Sequence, residues 1–206
     1  MAQRESTKTK QPRSLETREK IVAVGKRMFC ESGYHAVSSK RIAKEAGVAT
    51  GTFYLHFNDK KSLLIEIYRR HMEQVHRELE TYFETDPFAS LDASDKRPLM
   101  KEIVTLVYRT HDLSPELHRE ISVLSQTDSD FAALDKEEKR RSHAKLGKVL
   151  SPHLNGMRVQ DPAAAVFVIS QAMEAVIHAV IMHKPPMAKK RLLDALADML
   201  SRYLFE

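Results

Sequence analysis

Residues 38–57 read SSKRIAKEAGVATGTFYLHF, and no other stretch limits the fold as much. Its apolar spacing fits two short helices, 39–46 and 50–57, with Ser38 as the N-cap of the first and Gly47 between them. So short a turn needs a residue at positive φ, which glycine adopts without a Cβ clash. Ile42 and Ala43 face inward from the first helix and Val48 fills the corner. Phe53 and Phe57, four apart, hold one face of the second helix against a core. Ala43 is small where the two helices must cross closely. What remains on the second helix is small or hydrogen-bonding: Thr50, Gly51, Thr52, Tyr54 and His56. A helix built only for packing carries charge on its outer face; this one suits a polar partner.

The rest of the chain also reads as helical. Only 6 of 206 residues are glycine, and no run alternates with the period of two that marks a strand. A first helix over 15–32 takes Ser14 as its N-cap, Glu16 and Glu19 in its first turn and Gly33 as its stop. Ile21, Val24, Met28 and Phe29 form its apolar face. Asn58-Asp59 opens a fourth helix of about six turns, striped by Leu64, Tyr68, Met72, Val75, Leu79 and Tyr82 and ended by Asp86-Pro87. Further helices are expected over 98–111, from Ser114-Pro115-Glu116 to 125, and from Asp128 or Ser129 to 150. Asp161-Pro162 caps an eighth, the most apolar, which Pro185-Pro186 ends; a ninth covers 187–204. The fold class is therefore all-α, with about nine helices. Residues 1–14 are basic, polar and aperiodic, and read as a disordered arm.

Charge is distributed unevenly along the chain. Residues 1–60 hold 12 Lys or Arg against 6 Asp or Glu, a net +6, whereas the remaining 21 basic and 22 acidic side chains give −1. The excess sits where a polyanion would be met. A single cysteine, Cys30, leaves no intrachain disulfide and fits a reducing compartment; in an apolar-periodic helix it reads as a small core residue. No apolar run is read as reaching the ~20 residues of a membrane span, and no apolar stretch follows the basic N-terminus. A cytoplasmic protein without a membrane partner is expected.

Two helices joined by a glycine turn and braced by a third form a helix-turn-helix, an arrangement that places its second helix in a groove of duplex DNA. Helix N-termini carry unpaired N–H groups that attract phosphate. Ser38, Ser39 and Lys40 stand at one such end, and Thr50, Gly51 and Thr52 at the other. Tyr54 and His56 are neutral donors within reach of phosphate oxygens, and Lys60 adds a charge just beyond the helix. Two structural roles stay open beside these: Tyr54 packing on the first helix, and His56 capping its own.

These residues closely resemble the TetR family of bacterial one-component regulators. The likeness covers about residues 17–68 and includes FCESGYHAVSS, IAKEAGV, GTFYLHF and NDKKSLL in one register. It implies a three-helix DNA-binding domain over 15–60 and a helical effector-binding and dimerisation domain over 61–206. Thr52, Tyr54 and His56 match the family's phosphate-contacting residues, Lys60 the lysine after the recognition helix, and Ser39 the hydroxyl residue heading the first motif helix. Lys40, Thr50 and Gly51 fall where members vary and contact bases. Gly51 has no side chain, so readout there is by backbone or by fit; Lys40 can donate to guanine O6 or N7.

In the C-terminal part, helix eight is apolar nearly all round. Val166, Ile169, Met173, Val176 and Val180 form one stripe, and Phe167, Ala175, Ile181 and Met182 spread over others. Leu192, Leu196, Met199 and Tyr203 stripe the ninth, widened by Leu193, Leu200 and Leu204. A helix without a polar face needs burial on two sides, so these two read as a self-association surface. The resemblance likewise implies a homodimer that pairs them in a four-helix bundle. Such a dimer would present two reading heads to a near-palindromic operator. A repressor released by a small-molecule effector is the implied function, with the effector among helices four to eight. Gln171, Glu174 and His178, on one face of helix eight, are either polar fixtures of that pocket or a hydrogen-bonded patch at the dimer seam.

Two rivals remain. Ten histidines and the E-x-x-H of Glu73 to His76 invite a metal-enzyme reading, but a di-iron bundle needs two such motifs plus two further helical Glu, and only one is present. No phosphate-binding loop, nucleophile elbow or zinc spacing appears; no cofactor, metal or catalytic residue is expected. An architectural DNA-coating protein would not require so large a C-terminal body.

Overall fold

The computed structural model describes residues 10–87, 95–111, 113–150, 157–183 and 185–206, apart from the side chains of 10–12 and 150. Among them are nine helices and no strand: α1 Lys10–Ser32, α2 Ser39–Glu45, α3 Thr50–His56, α4 Lys60–Glu84, α5 Arg97–Thr110, α6 Pro115–Thr127, α7 Ser129–Leu150, α8 Pro162–Met182 and α9 Lys189–Phe205. They form two compact units, one of Met1–Met72 with Glu116–Ile121, the other of Glu73–Pro115 with Ser122–Glu206. Two helices, α4 and α6, contribute to both.

The helix ends follow the local chemistry. Gly33 closes α1 at φ 78° and Gly47 turns the chain after α2 at φ 64°, both in the left-handed region that costs other residues about 1–2 kcal/mol. The Ser38 side chain accepts from Arg41 N, a cap worth about 1 kcal/mol. At the start of α4, Asp59 Oδ1 accepts from Ser62 N at 2.6 Å while Ser62 Oγ accepts from Asp59 N at 3.1 Å, a reciprocal capping pair. Asp128 caps α7 through Phe131 N. Asp161 caps α8 through Ala163 N and Ala164 N.

The first unit packs Ile21, Phe29, Ile42, Phe53, Leu63 and Leu64, all fully buried, with Phe57 and Ile67 nearly so. Helices α1 and α4 approach closely at Gly25, where a Cβ would lie 2.7 Å from Leu63 Cδ2. Ion pairs fasten the same two helices. Arg18 of α1 meets Glu66 of α4 at 2.7 Å, Arg70 of α4 reaches the same carboxylate at 2.7 Å, and Arg70 also pairs with Glu19 of α1. Arg18, then burial working in the opposite sense, then Arg70 set the Glu66 carboxyl, which the arginines hold down to about 2. Arg18 also lies 5.0 Å over the Phe57 ring. From α6, Leu117 is fully buried in this unit, and Glu120 pairs with His35 at 3.0 Å.

The second unit is built on Leu99, Met100, Ile103 and Val104 of α5, Val166, Ile169, Met173 and Ile177 of α8, and Leu196, Ala197, Leu200 and Leu204 of α9. Its charged residues pair across helices: Lys101 with Asp194 at 2.8 Å, Lys139 with Glu174 at 3.1 Å, and Lys145 with Glu80 at 2.7 Å.

Several expectations are corrected. Helix α1 starts at Lys10, not Leu15, so Ser14 lies inside the helix and Glu16 and Glu19 are past its first turn; Glu19 is instead the partner of Arg70. The expected disordered arm thus ends before residue 10, and its residues 1–9 lie outside those described. On α4 the inward face includes Leu63, Ile67, His71 and His76, while Met72, Val75, Leu79 and Tyr82 are only half-buried. By length and composition α8 is long and apolar enough to cross a membrane, which the sequence reading had excluded. Its stripe of Val166, Ile169, Met173 and Ile177 is buried in the second unit's core.

Candidate nucleic-acid interface

The α2-turn-α3 arrangement is fixed from inside. Ile42 and Ala43 are fully buried on α2, as is Ala46 just after it, and Phe53 on α3, with Phe57 just beyond it at 4 % exposure. Val48 N donates to Ala43 O at 3.0 Å across the turn. The phenylalanine rings lie 5.8 Å apart and pin one side of α3. Arg27 of α1 pairs with Glu45 at 2.8 Å and holds the end of α2.

With that side anchored, the candidate residues fall on the remainder. Lys40 and Gly51 are exposed, Tyr54 is 53 % exposed, and Ser39, Thr50, Thr52 and His56 are half-buried. The Tyr54 ring stands edge-on to Phe53 at 5.4 Å, so its base is supported and its hydroxyl end is free of the core. Ala49, the residue preceding α3, supplies no side-chain cap. At Gly51 a Cβ would meet nothing within 4 Å, and its φ is not positive, so packing does not demand a glycine there. Lys40, Arg41 and Lys44 give α2 three exposed cations.

Lys60 has a second occupation that its spacing did not announce. Its ammonium donates to Tyr34 O at 2.9 Å and Val37 O at 3.1 Å, and lies 4.2 Å from the centre of the Tyr34 ring. Two of its three N–H bonds are therefore spent tying the start of α4 to the connection between α1 and α2.

Sequence reasoning passed over Leu55. It is the penultimate residue of α3 and is 84 % exposed, the highest value among the large apolar side chains described. The available signal was its spacing, two residues from each phenylalanine anchor.

In the second unit the three effector candidates do not share one environment. Gln171 is exposed. Glu174 is engaged by Lys139 of α7. His178 stands edge-on to His111 with ring centres 5.5 Å apart; burial first, then His111, keeps it below its ordinary pKa. The E-x-x-H histidine, His76, is 2 % exposed, with Nε2 at 2.8 Å from Ser142 Oγ and Nδ1 at 3.8 Å from Glu138. Burial, then Lys145 and Arg141, push its pKa down to about 4. Among the described residues no group of three or more His, Cys, Asp or Glu is placed to hold a metal.

Comparison with known proteins agrees with this geometry. Residues 21–67 match the family model for bacterial regulatory proteins of the tetR family, and residues 97–204 match that for tetracyclin repressor-like C-terminal domains. The fatty acid metabolism regulator protein of Bacillus subtilis (strain 168) is 29 % identical over 149 residues, which is 72 % of this chain and 64 % of that protein. The regulator AcrR of Shigella flexneri is 38 % identical over 87 residues, 41 % of this chain and 40 % of its own length. The chain thus spans less than two thirds of these curated relatives. Solved structures cover more of it. A regulator from Mesorhizobium loti superposes with a TM-score of 0.73 at 19 % identity, covering 94 % of this chain and 99 % of that one. A regulator from Saccharomonospora viridis in complex with choline gives 0.72 at 20 % identity, covering 93 % and 98 %. Bacillus subtilis FadR in complex with stearoyl-CoA gives 0.64 at 20 % identity, covering 89 % and 97 %. With the second family model alone matching more than half of its length, the chain belongs to the TetR family of bacterial transcriptional regulators.

Proposed function

We propose that this regulator is a cytoplasmic homodimeric repressor that binds a near-palindromic operator and leaves it when a small molecule occupies its C-terminal body. The observation that carries the DNA-binding part is the mounting of α3, anchored on one side by Phe53 and Phe57 and bare on the other. That helix lies within the sixty residues that hold the chain's whole cationic excess. Ser39, Lys40, Thr50, Gly51, Thr52, Tyr54, His56 and Lys60 are the contacts we assign, with phosphate the partner of most of them. DNA reading is assigned to residues 15–60 and effector binding and dimerisation to residues 61–206, while the packing of the first unit extends to Met72 and takes in Glu116–Ile121.

The dimer is supported by apolar side chains that the second unit leaves in solvent. Phe167 and Val168 of α8 are 56 % and 48 % exposed, and Met199 and Tyr203 of α9 are 47 % and 42 % exposed. Each of these helices buries one face in its own core, and pairing with a second copy would remove the other from water. Similar proteins hold stearoyl-CoA in one case and choline in another. One is a large acyl thioester bearing phosphates and the other a small cation, so panels of both classes are the relevant probes.

Selection from a randomised duplex pool at low salt tests the reading, followed by light scattering with and without the selected site. Enrichment of an inverted repeat by a particle of twice 23.6 kDa is expected. A monomer, or no enrichment of any duplex, would overturn it. Fatty acyl-CoA and quaternary-ammonium panels that release the selected duplex would then identify the effector.

A further inference from the structure

A solitary exposed leucine carries no meaning by itself, since apolar atoms make up much of any protein surface. Leu55 differs in its place. At ~100° per residue, it lies ~200° round the helix from the buried Phe53, and so points away from the core. One turn earlier on the same side is Gly51, which has no side chain and open space where a Cβ would stand. Thr52 and His56 flank this line on one side and the half-exposed Tyr54 on the other. The outermost line of the helix is therefore a gap followed by an isobutyl group, with the hydrogen-bonding side chains set back to either hand.

The opposite face of a duplex narrows what such a group can meet. Phosphates, sugars and most base edges in the major groove offer charge, donors or acceptors; the C5-methyl of thymine is the apolar feature there. A leucine carries no donor or acceptor, and cannot contribute to phosphate binding. We propose that Leu55 is a specificity-determining residue that packs on a thymine methyl within each half-site, with Gly51 leaving room for the neighbouring base pair to approach the backbone. This rests on the DNA-binding reading above and adds to it the kind of base that the last turn of α3 selects.

The test replaces single thymines of the selected operator by deoxyuridine, which removes the methyl group and leaves every hydrogen-bonding atom in place. Removing one buried methyl should weaken binding about 4-fold. Wild-type protein should show that loss at one thymine of each half-site, and Leu55→Ala should show none there while responding as wild type elsewhere. Because Leu55 is 84 % exposed, the variant keeps its core. Indifference of the wild type to every uracil, or equal losses in both proteins, would overturn the proposal and leave DNA binding standing. Failure to enrich any duplex would overturn both. A change in particle mass of Leu55→Ala without DNA would assign the residue to a protein contact and also overturn the proposal.

Discussion

Lys60→Met removes an ammonium while keeping most of its apolar stem, and separates two roles that the geometry gives one residue. In the folded head the ammonium donates to Tyr34 O and Val37 O and faces the Tyr34 ring. Hydrogen bonds to charged groups contribute about 1.5–3 kcal/mol each, and an exposed cation over an aromatic face about 0.5–1 kcal/mol. The two bonds share one donor group, and water can re-solvate part of what is lost, so about 2–4 kcal/mol of head stability should disappear. Against DNA, loss of the remaining N–H should lower the salt dependence of binding by at most about one unit of slope. The chain contains no tryptophan, so unfolding is followed in urea by circular dichroism, with hydrogen exchange at residues 33–38 locating the loss. An unchanged urea midpoint and unchanged exchange, together with a full unit of lost salt slope, would show that Lys60 binds phosphate only and that the clamp contributes nothing.

Acid should weaken the two units over different ranges. Glu66, depressed to about 2 from an ordinary 4.5, contributes stability that is complete above pH 4.5 and is lost as pH falls from there toward 2. The loss is at most about 3 kcal/mol, and urea midpoints of Glu66→Gln should be flatter across that interval. His76, depressed to about 4 from 6.5, stays neutral in the fold while the unfolded chain takes up a proton. The second unit should therefore lose up to about 1.4 kcal/mol per pH unit between 6.5 and 4; a His76→Gln protein with the same slope would exclude this cause. Gly51→Ala has room for its methyl group and should gain about 0.5–1 kcal/mol in thermal melts while binding DNA less tightly; unchanged affinity would remove Gly51 from the interface. Gly25→Ala puts a Cβ against buried Leu63 and should cost about 1–3 kcal/mol, read as an earlier urea midpoint.

Much of this fold was legible because its signals are local. Ser38, Asp59, Asp128 and Asp161 mark helix starts by their own side chains, and Gly33 and Gly47 mark ends by their backbone freedom. The start of α1 was missed because Ser14 resembles a cap, yet the helix continues back through Pro12 to Lys10. Counting apolar residues also misjudged α4, whose inner face passes from Leu63, Leu64, Ile67 and Tyr68 to His71 and His76. A buried histidine depends on a partner such as Ser142, which is 66 residues away, and periodicity carries no trace of it. The same blindness applies to Lys60, whose carbonyl partners at Tyr34 and Val37 belong to the backbone and leave no mark on residue choice. The apolar spacing marks Phe53 on α3 and Phe57 just beyond it as anchors, and the same spacing turns the leucine between them outward.

Residues 116–121 belong to the first unit although more than forty positions separate them from Met72. Leu117 is fully enclosed there, and Glu120 reaches His35. A chimera that grafts this head onto another sensor at one junction after Met72 would leave that enclosure without its plug. Building such hybrids requires transplanting the α6 segment too, or matching its shape in the recipient, so trading sensory bodies by simple recombination is not open to this architecture.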